Sequence, residues 1–352
     1  MAYFRKNVAI DLGTTSILVF TRAGGVLLNE PSVVAIDTFT DRIVAVGQEA
    51  REMLGRTPGN IVAQRPLRDG VIADYRSTER MLKYFIRKAV GRTLLRPDII
   101  VCIPSQATQV QKRAVIQAAT AAGAHSTYLI EEPLAAAIGS GVDIADPGGN
   151  LIIDIGGGTT DVALISLGGI VLSRSIRIAG DECDRAIATY IRKKYDIIIG
   201  EKSAEEIKIR LGSSASTGME ETLEVKGRSL VDGLPVHVYV SSADIAEALD
   251  EPLEHIVDAV HKVLSETPPE LSSDLFDRGV LLTGGGSLVR GLDQRIRDRI
   301  GIEVKHTESP ITSVVRGTGR ALAWIRRLNP GDEILAENTR KQIMQREGLR
   351  KR

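Results

Sequence analysis

Short apolar runs closed off by glycines and hydroxyl residues recur along this chain, and they predict strands first. Residues 151–155 (LIIDI) form one run and residues 162–165 (VALI) another, on either side of the polar tip Gly156-Gly157-Gly158-Thr159-Thr160. A carboxylate stands at each shoulder, Asp154 and Asp161. The pattern predicts a β-hairpin. Glycine has no Cβ, so such a tip can adopt positive φ and bring backbone N–H groups against an anion such as a phosphate. The pattern occurs twice. NVAIDLGTTSILVFTRAGGVLL, from Asn7, lies alongside NLIIDIGGGTTDVALISLGGIVLS, from Asn150. Asp11 matches Asp154, Thr14 and Thr15 match Thr159 and Thr160, and a Gly-Gly turn follows in each. Copies about 140 residues apart are too distant for a solenoid and fit a duplicated domain. Each half would then point one aspartate and one polar tip into a shared cleft.

Helical spacing appears between the strands. Met81, Leu82, Phe85, Ile86 and Ala89 predict an amphipathic helix over 77–90, and a second runs over 109–122 until Gly123 stops it. Before them, β-branched runs at 33–36 and 43–46 turn at Asp41, with a short helix over 48–54. An apolar strand ends at Glu131-Glu132-Pro133, which places both carboxylates at a strand-to-helix junction, where the positive helix end stabilises anions. In the second half, a strand at 170–178 leads to a helix from Gly180 to about Tyr195. Ser203 and Glu206 have capping-box spacing, and 212–218 is small, polar and expected to be mobile. Strands at 222–225 and 236–240 flank Asp232-Gly233, and 242–264 is helical, with Pro252 expected to kink or divide it. A strand at 280–282 runs into a third glycine tip, Gly284-Gly285-Gly286, with Leu288 opening a helix. A side-chain-free backbone of this kind suits the flat face of a base or ribose.

The domain organisation expected is a first domain over 1–143 with an inserted subdomain at about 31–75, and a second over 144–311 with an insert at about 183–241. A helix over 312–330 returns to the first domain, and a charged tail follows at 331–352. Composition supports two cores built from aliphatic side chains: the 352 residues are 43% hydrophobic and 4% aromatic. Forty-five basic residues balance forty-five acidic ones, which leaves no basic field for nucleic acid. Cys102 and Cys183 have neither metal-site nor disulfide-framework spacing. No run is long enough to span a membrane, and MAYFRKN enters a strand directly, so a cytoplasmic protein is expected.

The motifs DLGTTS at Asp11, NEPSVVAI at Asn29, RPLRDGVIADY at Arg65, LIEEPLAAAIG at Leu129, DIGGGTTD at Asp154, SIRIAGDE at Ser175, TPPEL at Thr267 and LTGGGSLVRG at Leu282 resemble the actin, Hsp70 and sugar-kinase superfamily. Within it they resemble the MreB family of bacterial actin homologues, in order and spacing from about residue 8 to 322. The resemblance implies an α/β, actin-like (ribonuclease H-like) fold with duplicated domains around a cleft for ATP or ADP. Gly13, Thr14 and Thr15 would hold the phosphates from one side, and Gly157, Gly158 and Thr159 from the other. Asp11 and Asp154 would organise Mg²⁺, mainly through water. Glu132 would orient the attacking water, and Glu205, Lys208, Gly285 and Gly286 would contact adenosine. The sequence departs from the family where TTS replaces the usual TAN, and where Asp161 replaces Glu.

The resemblance further implies slow ATP hydrolysis, polymerisation into paired filaments on the inner face of the cell membrane, and cooperation with membrane proteins of cell-wall elongation. Leu94 and Leu95, flanked by Arg92 and Arg96, suit insertion into an anionic lipid surface, with Tyr3 and Phe4 a weaker second contact. The alternatives are a small-molecule kinase or an Hsp70-like ATPase of the same superfamily. The first lacks an evident catalytic aspartate in a sugar-binding loop, and the second an evident substrate-binding domain.

Overall fold

A computed structural model describes residues 6–91, 95–215 and 221–323. Two five-stranded sheets of one topology carry the fold. In the first, Asn7–Leu12 pairs antiparallel with Ser16–Thr21, which pairs with Gly25–Pro31; on its other side lie Asp98–Ile103 and Ser126–Glu131, parallel to it. In the second, Asn150–Ile155 pairs with Thr160–Ser166 and that with Gly169–Ile176, while Val280–Thr283 and Val304–His306 add parallel strands. Alternation along each strand sorts side chains to two faces. Val8 and Ile10 face the helices Tyr75–Val90 and Gln109–Ala121, while Ala9 joins a different cluster. Leu151, Ile153 and Ile155 face the helices Gly180–Tyr195 and Ser242–Ser265.

The two sheets share one apolar layer. Ala9 and Ile100 of the first and Ile152 and Ile165 of the second meet in a cluster with Leu134, Ala135 and Ala136 of helix Glu132–Gly139 and Val314 and Ala321 of helix Ser313–Ala321. These helices cross at backbone distance. A Cβ on Gly139 would collide with Ser313 O and Gly317 N, and one on Gly317 with Ala135 O and Gly139 N. Cys102 Sγ lies 2.7 Å from Thr318 Oγ1 in the same layer.

Small three-stranded sheets occupy both inserts: Val34–Asp37, Arg42–Val46 and Ile61–Gln64 in the first; Ile197–Ile198, Thr222–Ser229 and Pro235–Ser241 in the second. Four expectations need correction. Helix Glu201–Leu211 begins at Gly200, without a side-chain cap, so Ser203 is inside it; Glu201 and Lys202 are good helix formers and extend the turn backwards. Helix Ser242–Ser265 runs undivided through Pro252, which is buried in the core, where packing offsets the missing N–H bond. Leu288 closes a 3₁₀ turn, Gly285–Leu288, and the helix starts only at Leu292. Ser213, in the stretch expected to be mobile, is buried, and its Oγ donates to Ala215 O at 2.7 Å. Tyr3, Phe4, Arg92, Leu94, the remainder of that stretch over 216–218, the expected returning helix beyond residue 323 and the charged tail lie outside the described residues.

Candidate functional site

The first-strand hairpins of the two sheets end at the same cleft. Leu12 pairs with Ile17 and Ile155 with Thr160, so each hairpin closes a four-residue tip, 13–16 and 156–159. With Asp11 placed on Asp154, Thr14 therefore corresponds to Gly157 and Ser16 to Thr159. This corrects the match of Thr14 and Thr15 with Thr159 and Thr160, because identical residue letters had outweighed strand register. The tips interdigitate: a Cβ on Gly157 would strike the Thr15 side chain, and one on Gly158 the Thr14 side chain.

Each tip is fixed from behind. Ser32 N donates to Thr15 O at 2.9 Å and Ser32 Oγ to Gly13 O at 2.6 Å. At the second tip, Gly180 N donates to Gly156 O (3.2 Å) and Asp181 N to Gly157 O (2.7 Å), so the N-terminus of helix Gly180–Tyr195 braces it. Thr15 Oγ1 reaches across to Asp181 Oδ1 at 3.1 Å, and Gly70 N donates to Thr14 Oγ1 at 3.1 Å.

A cavity of about 450 Å³ lies between the tips. It is lined by every side chain and glycine the sequence assigned to nucleotide and catalysis: Asp11, Gly13, Thr14, Thr15, Glu132, Asp154, Gly157, Gly158, Thr159, Glu205, Lys208, Gly285 and Gly286. Besides Thr14 and Thr15, Glu205 and Lys208 already have partners. Glu205 Oε2 is bonded by Arg51 Nη2, and Lys208 Nζ donates to Gly180 O at 2.8 Å and sits 2.8 Å from Asp184 Oδ1. Asp69 and Gly70 (φ 49 and 74) form the turn between Leu67–Arg68 and Val71–Ile72, which brings Gly70 to the wall. The Asp-Gly hairpin signal was present in the sequence and had not been used. Asp181 and Asp184 also line the cavity, as do Pro310 and Ile311, for which no sequence signal existed.

The cavity floor is acidic. Burial pushes the Asp11 carboxyl up to about 7 and Asp154 well above the usual carboxylate range, where the charge of Asp11 adds to the effect. Glu132, at the first turn of helix Glu132–Gly139, is raised by burial and then by Asp161, Asp154 and Asp11. Among the described residues no basic side chain pairs with Asp11, Glu132 or Asp154, and no three ligating groups converge closely enough to hold a bare ion. That donor set fits a hydrated divalent cation, held through its waters and by ligand oxygens. Asp161 has a separate role. Its Oδ1 accepts from Ser105 N (2.8 Å) and Ser105 Oγ (2.7 Å), tying the second sheet to the loop after Asp98–Ile103 of the first.

Two sheets of identical strand order, sharing a helical layer and opening a cleft between paired hairpin tips, define an actin-like α/β protein. The MreB/Mbl protein family matches residues 5–330, and the chain belongs to it. It is 48% identical to cell shape-determining protein MreB of Escherichia coli K12 over 330 residues (92% of this chain, 94% of that one). It is also 48% identical to cell shape-determining protein Mbl of Bacillus subtilis over 317 residues (90% and 95%). Among solved structures, MreB5 of Spiroplasma citri bound to ADP superposes with a TM-score of 0.87 at 37% identity, over 92% of this chain and 98% of that one. The MamK double helical filament, at 22% identity, has a TM-score of 0.78 over 93% and 100%, a likeness of fold.

Proposed function

We propose that this chain is a cytoskeletal ATPase that binds ATP with magnesium in the cleft, hydrolyses it slowly, and assembles into filaments that organise cell-wall synthesis and rod shape. The observation that carries the reading is the pair of interdigitated tips above the carboxylates of Asp154, which is buried, and of Asp11 and Glu132, which are half-buried, none of them paired with a basic side chain among the described residues. Backbone N–H groups of Gly157 and Gly158 and the hydroxyls of Thr14, Thr15 and Thr159 suit phosphate oxygens from two sides. Asp11 and Asp154 would hold hydrated Mg²⁺, which supplies charge neutralisation when bound. Glu132 orients water in line with the terminal phosphate, and positioning of this kind is most of what phosphoryl transfer requires. Glu205, Lys208, Gly285 and Gly286 line the side suited to adenosine. In this reading residues 1–143 and 144–311 are the two bodies separated by the cleft, with the shared helical layer as their hinge.

Relatives named for cell-shape determination and the ADP and AMPPNP complexes of Spiroplasma citri MreB5 support it. We place the protein in the cytoplasm, peripheral on the inner face of the membrane, working with membrane proteins of wall elongation. No helix among the described residues is long and apolar enough to cross a membrane. Lys6 Nζ donates to Val90 O at 2.6 Å and Asp98 N to Lys6 O at 3.2 Å. Lys6, Val90 and Asp98, the described residues that adjoin the two lipid-contact candidates in sequence, are therefore joined to one another. Pelleting with ATP and Mg²⁺, with and without anionic liposomes, tests the whole reading. Polymer in the pellet and phosphate release are expected, and replacing Leu94 and Leu95 by serine should remove the liposome dependence and leave turnover. A monodisperse supernatant that phosphorylates a small-molecule acceptor would overturn it.

A further inference from the structure

Among the described residues, three ion pairs bridge the mouth of the cleft. Arg65 Nε lies 3.9 Å from Glu201, whose carboxylate is largely exposed, and Arg185 Nη2 lies 3.8 Å from Asp69, both of them exposed. Loose pairs in water hold little. Arg51 and Glu205 are different: the guanidinium bonds Oε2 directly, and the side chains are 28% and 15% exposed. Both stand on fixed platforms. Helix Gln48–Met53 buries Ala50 and is pinned by Glu30, which accepts from Gln48 N at 3.2 Å and from Lys88 Nζ at 2.7 Å. Helix Glu201–Leu211 buries Ala204, Ile207 and Leu211 in the second core. Glu205 lines the nucleotide cavity and Arg51 does not.

Resting on the nucleotide reading above, we propose that Arg51 is a positioning residue for bound nucleotide. By holding Glu205 Oε2 across the cleft mouth, it leaves Oε1 as the acceptor for a nucleoside hydroxyl and clasps the two inserts over the ligand, so that this pair sets the rate of nucleotide release. A guanidinium suits the task because its charge is permanent and its nitrogens form a rigid fork. The partly buried pair must break before the mouth opens.

Stopped-flow release of a fluorescent ADP analogue from the full-length chain tests this. Arg51→Ala should accelerate release about tenfold, the scale of one charge-assisted hydrogen bond, while single-turnover cleavage of bound ATP changes less than about twofold. Arg51→Lys should fall between. Raising salt should speed release from the unmodified protein more than from Arg51→Ala. Arg80→Ala, which breaks the Arg80–Asp41 pair between helix Tyr75–Val90 and the first insert and does not cross the cleft, should release nucleotide at the unmodified rate. Unchanged release from Arg51→Ala, or equal acceleration in Arg80→Ala, overturns the proposal while the nucleotide reading stands. Failure of the unmodified chain to bind any nucleotide overturns both.

Discussion

The tip at 13–16 presents hydroxyls and the tip at 156–159 presents bare backbone, although both close loops of four residues at the ends of equivalent strands. The contrast follows from their meeting. Thr14 and Thr15 occupy the volume that side chains on Gly158 and Gly157 would need, so one tip can carry side chains there only because the other has glycine at the facing positions. Their supports differ in the same sense: the buried Ser32 behind the first, a helix N-terminus behind the second. After gene duplication, two identical tips would have collided. Divergence made them complementary, and neither would form the cleft alone.

The strongest way to break this comparison is to put bulk into the backbone-built tip. Gly157→Val should lower nucleotide affinity at least about 100-fold by calorimetry, since the Cβ atoms cannot share space with Thr15. Next in size, Glu132→Ala should cut phosphate release about 100-fold with binding within about threefold, because this carboxylate belongs to neither tip. Equal turnover would shift water orientation to Glu131. A smaller effect comes from the floor. The Asp11 carboxyl, at about 7 in the fold against 3.8 ordinarily, keeps its proton where the unfolded chain has lost it. Stability of the nucleotide-free protein should therefore fall as pH rises from about 4 through 7, and Asp11→Asn should flatten that slope by a few degrees of Tm near neutrality. Smallest, Thr15→Ala should weaken binding about fivefold, as one hydroxyl is lost and the backbone cradle remains. A loss as large as that of Gly157→Val would mean that the two tips do not divide the work.

Most of the cleft was legible in sequence because duplication wrote the same strand-tip-strand pattern twice, each copy marked by an aspartate before glycine. What was misread depended on register or on partners distant in sequence. Letter matching aligned the threonines, whereas the Leu12–Ile17 and Ile155–Thr160 pairs align Thr14 with a glycine. Asp161 had a position and no role until Ser105, 56 residues earlier, was seen to donate to it twice. Pro252 looked like a break because a pattern cannot weigh the buried face that holds helix Ser242–Ser265 together.

One consequence concerns the backbone-to-backbone crossing of Gly139 and Gly317. Helix Glu132–Gly139 is gripped from Ala135 to Gly139 and carries Glu132 at its other end. Three residues at 1.5 Å each separate Ala135 from Glu132, a lever arm of about 4.5 Å, so a tilt of about 13° at the crossing moves the far end by about 1 Å. A displacement of that size separates aligned from misaligned water. Whatever grips the outer surface of either half and changes their angle thus has its hand on Glu132, the carboxylate proposed to orient water.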